Sequence, residues 1–250
     1  PDGSFPSGIP NPLLLENRQV TSDAVIANNA DLGIAWDGDF DRCFFFDESG
    51  NFVDNYYLIG LLSEKLLANH PNSSIVHDPR LVWNTQEDVK KNLGVPMLSK
   101  AGHSFIKEVM RENNAIYGGE MSGHHYFRDF YYSDSGMIPW LLLLQSISES
   151  GKTLSELVSE RVSKFPISGE INTTVANPQQ LLETIKSHYQ QYDPTIDDLD
   201  GYSFDFKTWR FNLRMSNTEP LVRLNVESRE NQKLMEEKTK EILGFIDLHK

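Results

Sequence analysis

The stretch Asp37-Gly38-Asp39-Phe40-Asp41-Arg42 lies between two short apolar runs, Leu32 to Trp36 and Cys43 to Phe46. Each run is bounded by polar or turn residues, so the pattern is strand, tight loop, strand. Aspartates at alternate positions crowd three carboxylates onto one loop, where they repel unless a cation sits among them. A hard divalent ion suits an all-oxygen donor set. Mg²⁺ fits better than Ca²⁺, because it is held by few carboxylates and leaves positions for phosphate oxygens. Arg42, always charged, then faces an anion beside the metal.

Other readings of the loop compete. A lone D-x-D-x-D is often a solvated acidic turn. A calcium-binding EF-hand would place Glu48 at its twelfth position, but Arg42 takes the sixth, where that loop needs glycine. A DxD after an apolar strand also resembles the haloacid-dehalogenase phosphatases, with Asp37 as nucleophile, although those enzymes favour Thr or Val where Asp41 stands. The third aspartate favours a metal clamp.

The rest of the chain alternates strand-like and helix-like runs. A helix capped by Ser22 and ending near Asn29 precedes the loop. Tyr57, Leu58, Leu61, Leu62 and Leu66 recur at helical spacing, and His70-Pro71-Asn72 ends that run. Further strands are expected at Ser74–Val76, Val95–Leu98 and Ala115–Tyr117. Helices are expected from Thr85, from Phe105 and from Met137. Thr153-x-x-Glu156 reads as a capping box opening a helix toward Lys164. This alternation implies an α/β domain. After Phe165-Pro166 the order changes to strand, helix, an acidic turn over 193–200, three strands and a final helix from Asn231, which implies a smaller α+β domain. The expected division is 1–50, 51–165 and 166–250, with a mixed sheet in the α/β part.

At 250 residues the chain is long enough for real cores, and a formal net charge of −13 disfavours nucleic acid and anionic membranes as partners. A phosphate ligand would therefore need cations gathered locally. The single cysteine, Cys43, sits in an apolar run and reads as a buried reduced thiol, as in a cytoplasmic protein. No apolar run approaches the ~20 residues of a membrane helix. No signal peptide opens the sequence, and its first residue is Pro1 rather than Met, which points to processing or truncation.

Polar loops close several strands. Glu120 and Ser122, with His124 nearby and Gly118, Gly119 and Gly123 around them, offer acceptors and donors for sugar hydroxyls with room for close backbone approach. Glu120 as a solvated surface carboxylate is the plainer alternative. His124 and His125 are adjacent and lack partner spacing, so zinc is not expected. His103 reads either as a helix-start residue or as a ligand contact. Arg214, Ser216, Asn217 and Thr218 combine a guanidinium fork, two hydroxyls, an amide and free backbone N–H groups, a set that suits phosphate.

Together and in this order, the chain resembles the α-D-phosphohexomutases, and within them the bacterial phosphomannomutases that supply mannose 1-phosphate for GDP-mannose. The matching stretches are Asp37–Arg42, His77-Asp78-Pro79-Arg80, Lys100-Ala101-Gly102-His103, Gly119–His124 and Arg214–Pro220. The likeness runs end to end and corresponds to the C-terminal half of such an enzyme. It implies that Asp37, Asp39 and Asp41 hold Mg²⁺, and that Arg42, Arg80 and His103 line the reaction centre. Glu120 and Ser122 would hold the sugar's 3- and 4-hydroxyls beside His124. Arg214, Ser216, Asn217 and Thr218 would hold the phosphate that is not transferred. Such isomerases interconvert mannose 6-phosphate and mannose 1-phosphate through an active-site phosphoserine and a hexose 1,6-bisphosphate. The phosphoserine loop belongs to an N-terminal domain with no counterpart in this sequence, so this chain alone is expected to be inactive. The alternatives are a haloacid-dehalogenase-like phosphatase and a non-catalytic sugar-phosphate-binding chain.

Overall fold

A computed structural model describes residues 3–6, 8–216 and 219–249. Its elements arise where local chemistry calls for them. Asp54 accepts a hydrogen bond from Tyr56 N and caps one helix, and Asn177 accepts from Gln180 N and caps another. Thr153 and Glu156 form the reciprocal capping box: Thr153 N donates to Glu156 Oε2 (2.9 Å) and Glu156 N to Thr153 Oγ1 (3.3 Å). Ser22 differs from expectation. The helix begins at Gln19, and the Ser22 hydroxyl donates to Gly50 O at 2.7 Å, tying the helix to a turn instead of capping it.

Two compact units result. The first runs to His77 and adds Thr85–Met97 and Gly102–Ser159. It opens with α1 (Gln19–Asn28) and a three-stranded antiparallel sheet, β1 (Gly33–Trp36), β2 (Cys43–Phe46) and β3 (Phe52–Val53). All of β2 is buried, Cys43 included. Then follow α2 (Asn55–Leu67), β4 (Ser74–His77), α3 (Trp83–Lys91), β5 (Val95–Leu98), α4 (His103–Glu112), β6 (Tyr117–Gly119), β7 (His125–Phe127), β8 (Ser133–Asp134), α5 (Ile138–Ser150) and α6 (Leu154–Lys164), the first residues of α3 and the last of β5 and α6 grouping with the second unit. The sheet order is β5-β4-β6-β7-β8; β4 and β6 are parallel, whereas β6, β7 and β8 are antiparallel, a mixed sheet. Ile59 and Leu62 of α2 pack with Ile75, Tyr117 and Phe127, while Ile106 and Met110 of α4 pack with Val76 and Tyr126, so helices cover both faces.

The second unit comprises Asp78–Asn84, Leu98–Ala101 and Glu160 onward. Its elements are β9 (Ile171–Thr174), α7 (Pro178–Gln190), β10 (Thr195–Asp197), β11 (Tyr202–Asp205), β12 (Trp209–Met215), β13 (Leu221–Ser228) and α8 (Gln232–His249). The strands form one antiparallel sheet, β10-β11-β12-β13-β9. β10 lies inside the stretch expected to be only an acidic turn. It is a short edge strand with two exposed residues, so no apolar alternation marks it. Leu181, Ile185 and Tyr189 of α7 and Met235, Ile242 and Ile246 of α8 pack on Phe211, Leu213, Val222, Leu224 and Val226. Strand alternation sends Arg210, Asn212 and Arg214 of β12, and Arg223, Asn225 and Glu227 of β13, to the opposite face. No helix of the described residues is long and apolar enough to cross a membrane.

Candidate functional site

The aspartate loop joins β1 to β2, as its flanks imply. Its residue Phe40 takes a left-handed conformation (φ 65°), unusual for a bulky side chain, and its N–H donates to Asp37 O. Asp37 is buried, Asp39 exposed and Asp41 half-buried, and each offers an oxygen within 4.8 Å of the others. Arg42 is committed to Asp37: its Nε and Nη2 lie 2.6 Å from Asp37 Oδ2, and its N–H donates to Oδ1 at 3.1 Å. Burial works to raise the Asp37 carboxyl, but the hydrogen bonds and charge of Arg42 outweigh it and hold the group below its usual range. Asp41 goes the other way. Burial, then the charges of Asp37, Asp39 and Asp134, push it up to about 6. Its Oδ1 is buried with no hydrogen-bond donor among the described residues, the nearest cation being Arg42 Nε at 3.7 Å. A buried oxygen without a donor, in a group that resists ionising beside two other carboxylates, fits a loop that takes a hard cation.

An isolated antiparallel bridge between Arg42 and His124 sets the β6–β7 turn beside this loop. The turn closes with Gly123 N donating to Glu120 O and Glu120 N to His124 O, both 3.0 Å, and it needs φ 96° at Gly123, where a side chain would also strike the Phe44 ring. Gly118 and Gly119 serve another purpose than close ligand approach. They are buried in β6, and a Cβ there would meet Met110 Sδ or Ile59 at 2.7 Å, so these glycines admit the core helices. Glu120 is buried rather than a solvated surface group. It accepts from Tyr126 Oη (2.5 Å) and from Gly102 N (3.0 Å). Ser122 Oγ lies 3.0 Å from His124 Nδ1, and His124 Nε2 lies 3.0 Å from His103 Nε2. Burial, then the charges of His103 and Arg42, bring His124 down to about 4, so it is neutral near pH 7. His125 turns away into the core against Tyr117 Oη (2.6 Å), and burial lowers it to about 3. His103 is the first residue of α4, 43% exposed, with Nδ1 3.5 Å from Asp134 Oδ2.

The second unit carries a cluster of guanidinium groups. Arg80 grips Asp78 with two donors (Nε to Oδ1 3.0 Å, Nη2 to Oδ2 2.7 Å). Glu170, just before β9, bridges three arginines: Arg80 Nη1 at 3.2 Å, Arg223 Nη1 at 2.8 Å and Arg214 Nη2 at 3.5 Å. Burial raises the Glu170 carboxyl, but Arg80, Arg214 and Arg223 together hold it below its usual range. Arg214 and Arg223 stand opposite each other across β12 and β13, and the Nε of each is buried without an acceptor among the described residues. Ser216 follows β12, where its N–H donates to Leu221 O and closes the hairpin. Asn217 and Thr218 lie outside the described residues. Behind the cluster, Arg210 donates to the carbonyls of Pro79 and Arg80 and to Glu227 Oε1, which also accepts from Val82 N.

Of the residues singled out in the sequence, Asp37, Asp39, Asp41, Arg42, His103, Glu120, Ser122 and His124 belong to the first unit, and Arg80, Arg214 and Ser216 to the second. Sequence reasoning missed Asp134, Lys107 and Tyr126 in the first and Glu170 in the second; Arg223, which the sequence offers either as a phosphate contact or as a partner of Glu227, stands outside the expected site. Arg223 alternates with buried Val222 and Leu224, which marks the polar face of β13, but its partner is Glu170 rather than its strand neighbour Glu227.

Three successive family models match this chain: phosphoglucomutase/phosphomannomutase alpha/beta/alpha domain II over residues 1–50, alpha/beta/alpha domain III over 54–165 and the C-terminal domain over 170–243. The chain belongs to the phosphoglucomutase/phosphomannomutase family. This assignment takes the place of the haloacid-dehalogenase reading of the aspartate loop. A protein of Xanthomonas campestris pv. campestris (strain B100) named phosphohexose mutases is 58% identical over 98% of this chain and 55% of its own length. The phosphomannomutase of Escherichia coli (strain K12) is 56% identical over 99% of this chain and 54% of its own length. A phosphoglucomutase/phosphomannomutase family protein of Burkholderia thailandensis, solved by X-ray crystallography, matches 99% of this chain and 53% of its own with a TM-score of 0.85 at 26% identity. The chain thus spans about half the length of the curated relatives it matches.

Proposed function

We propose that this chain is the metal-, sugar- and phosphate-handling part of a phosphomannomutase that interconverts mannose 6-phosphate and mannose 1-phosphate. The phosphoryl group would pass by way of a hexose 1,6-bisphosphate and a phosphoserine outside this sequence. The observation that carries the reading is the arginine cluster, where the buried Nε donors of Arg214 and Arg223 lack acceptors among the described residues, in a chain 53–58% identical to curated phosphohexose mutases and phosphomannomutases. Donors buried without acceptors favour an incoming anion.

The roles follow from the local chemistry, within a division at 1–50, 51–165 and 166–250. Asp37, Asp39 and Asp41 hold Mg²⁺, which when bound neutralises charge on the transferring phosphoryl group. Arg42 holds Asp37 ionised and fixes the loop. Neutral His124, with His103 against it, is able to take a proton from a sugar hydroxyl. Glu120, positioned by Tyr126 and Gly102, accepts from the sugar's 3- and 4-hydroxyls, and Ser122 assists. Arg214 and Ser216, with Asn217 and Thr218, hold the phosphate that is not transferred, and Arg80 adds a second guanidinium. The enzyme would work in the cytoplasm and feed GDP-mannose formation.

Thermal unfolding with mannose 1-phosphate and Mg²⁺ tests this. Ligand at 100 times its Kd is expected to add about 2.7 kcal/mol of stability. The Arg214→Ala/Ser216→Ala double variant is expected to lose that gain. An equal gain in parent and variant removes the phosphate assignment. The chain alone is expected to give no mutase turnover; measurable turnover with mannose 1-phosphate and a bisphosphate activator would refute its dependence on a phosphoserine elsewhere.

A further inference from the structure

We propose that His103, His124 and Asp41 form a second divalent-cation site, for borderline metals that accept imidazole such as Zn²⁺, Co²⁺ and Ni²⁺, next to the all-carboxylate loop. Asp41, His103, His124 and Asp134 each present a ligand atom within 4.8 Å of the others. The Nε2 atoms of the two histidines face each other at 3.0 Å, and Asp41 Oδ2 is 3.5 Å from His124 Nε2. A tetrahedral zinc with Zn–N of about 2.0–2.1 Å holds its nitrogens about 3.3 Å apart, so a shift of a few tenths of an ångström seats the ion.

The outer nitrogens are backed as ligating histidines usually are. His103 Nδ1 lies 3.5 Å from Asp134 Oδ2, and Lys107 Nζ fixes the other oxygen of Asp134 at 2.8 Å. His124 Nδ1 lies 3.0 Å from Ser122 Oγ and 3.8 Å from Glu120 Oε1. With the proton of each ring on Nδ1, facing these oxygens, metal binding would replace the Nε2–Nε2 contact and use both Nε2 lone pairs. Two imidazoles and one carboxylate leave a fourth position open, the donor set and vacancy of an open zinc site. Donor type separates the two sites. Three carboxylates suit Mg²⁺, whereas imidazole suits Zn²⁺, Co²⁺ and Ni²⁺. Asp41 belongs to both, so each cation is expected to weaken binding of the other. The inference rests on ligand geometry and needs no mutase activity.

Co²⁺ titration of the Mg²⁺-free chain tests it, with added Mg²⁺ expected to weaken the binding. A saturable visible absorption of low-symmetry, imidazole-ligated Co²⁺ is expected at one ion per chain, abolished by one equivalent of Zn²⁺. His103→Asn and His124→Asn are each expected to lose the absorption, whereas Asp39→Asn, which weakens only the carboxylate loop, and His188→Asn, on α7 in the other unit, keep it. His103 is partly exposed at the start of its helix, and an unchanged melting temperature checks that its variant folds. Imidazole ¹⁵N shifts in the Zn²⁺-loaded chain are expected to show both rings protonated at Nδ1. The proposal fails if no saturable absorption forms. It fails equally if the absorption survives both histidine substitutions, or if Asp39→Asn alone removes it, because the ion then sits in the carboxylate loop. Loss of mannose 1-phosphate stabilisation would instead count against the mutase reading and leave this site untouched.

Discussion

Asp41 and Glu170 are both partly buried carboxylates, yet their neighbours drive them in opposite directions. Asp41 rises to about 6 because it is partly buried and shares its loop with two more aspartates; Arg42, bound chiefly to Asp37 and 3.7 Å from Asp41, only partly offsets this. Glu170 sits among three guanidiniums and is held low. The first cluster has more carboxylate than positive charge of its own, a balance that suits a cation. The second carries an internal carboxylate that partly neutralises it and still keeps two buried donors without acceptors among the described residues. Burial is similar in kind at both places, so the sign of the surrounding charge decides what each cluster is able to bind.

The contrast breaks most sharply at the support of the arginine cluster. Glu227 is fully buried and paired with Arg210 at 2.8 Å. Arg210→Met strands that carboxylate, and a loss of about 3–5 kcal/mol is expected in urea denaturation. Loss of under 1 kcal/mol would mean the pair is not buried as described.

Next comes Glu170→Gln, which removes the shared carboxylate and leaves three guanidiniums together. A loss of about 1–3 kcal/mol is expected, recovered by added inorganic phosphate, which takes over the vacated role. Stability that phosphate does not restore would separate Glu170 from any anion site.

A smaller effect, of opposite sign, is expected at Asp41. In metal-free protein, Asp41→Asn removes a charge that the fold disfavours and should raise stability at pH 7 by about 1–2 kcal/mol, after discount for partial exposure. The same substitution should blunt stabilisation by Mg²⁺.

The pH dependence sharpens the comparison further. Glu170 is depressed, so its contribution is present above the usual carboxyl value of 4.5 and is lost as pH falls through and below that value. Asp41 is raised from 3.8, so the folded state binds its proton more tightly. With chelator present, its contribution therefore falls as pH rises from about 4 to about 6 and then levels off. Acid titration of Glu170→Gln and Asp41→Asn, each followed by chemical denaturation, is expected to remove these slopes of opposite sign separately.

What the sequence by itself determined was local. The strand–loop–strand around three aspartates, the capping box at Thr153 and Glu156, and the alternation of β13 all follow from near-neighbour chemistry, and each stands in the structure. Even the missed strand β10 and the misplaced cap at Ser22 are cases where a longer-range bond, to β11 or to Gly50, overrode the local pattern. Only the tertiary structure decided which loops meet. His103 and His124 are far apart in sequence and touch because α4 and the β6–β7 turn share one end of the mixed sheet. Arg214 faces Arg223 because the apolar residues of β12 and β13 must share a face, which fixes the register. Gly118 and Gly119 look like room for a ligand in the sequence and prove to be room for α2 and α4. Side-chain chemistry can be read from residue order, but the partners of a buried charge depend on core packing, which no short stretch of sequence encodes.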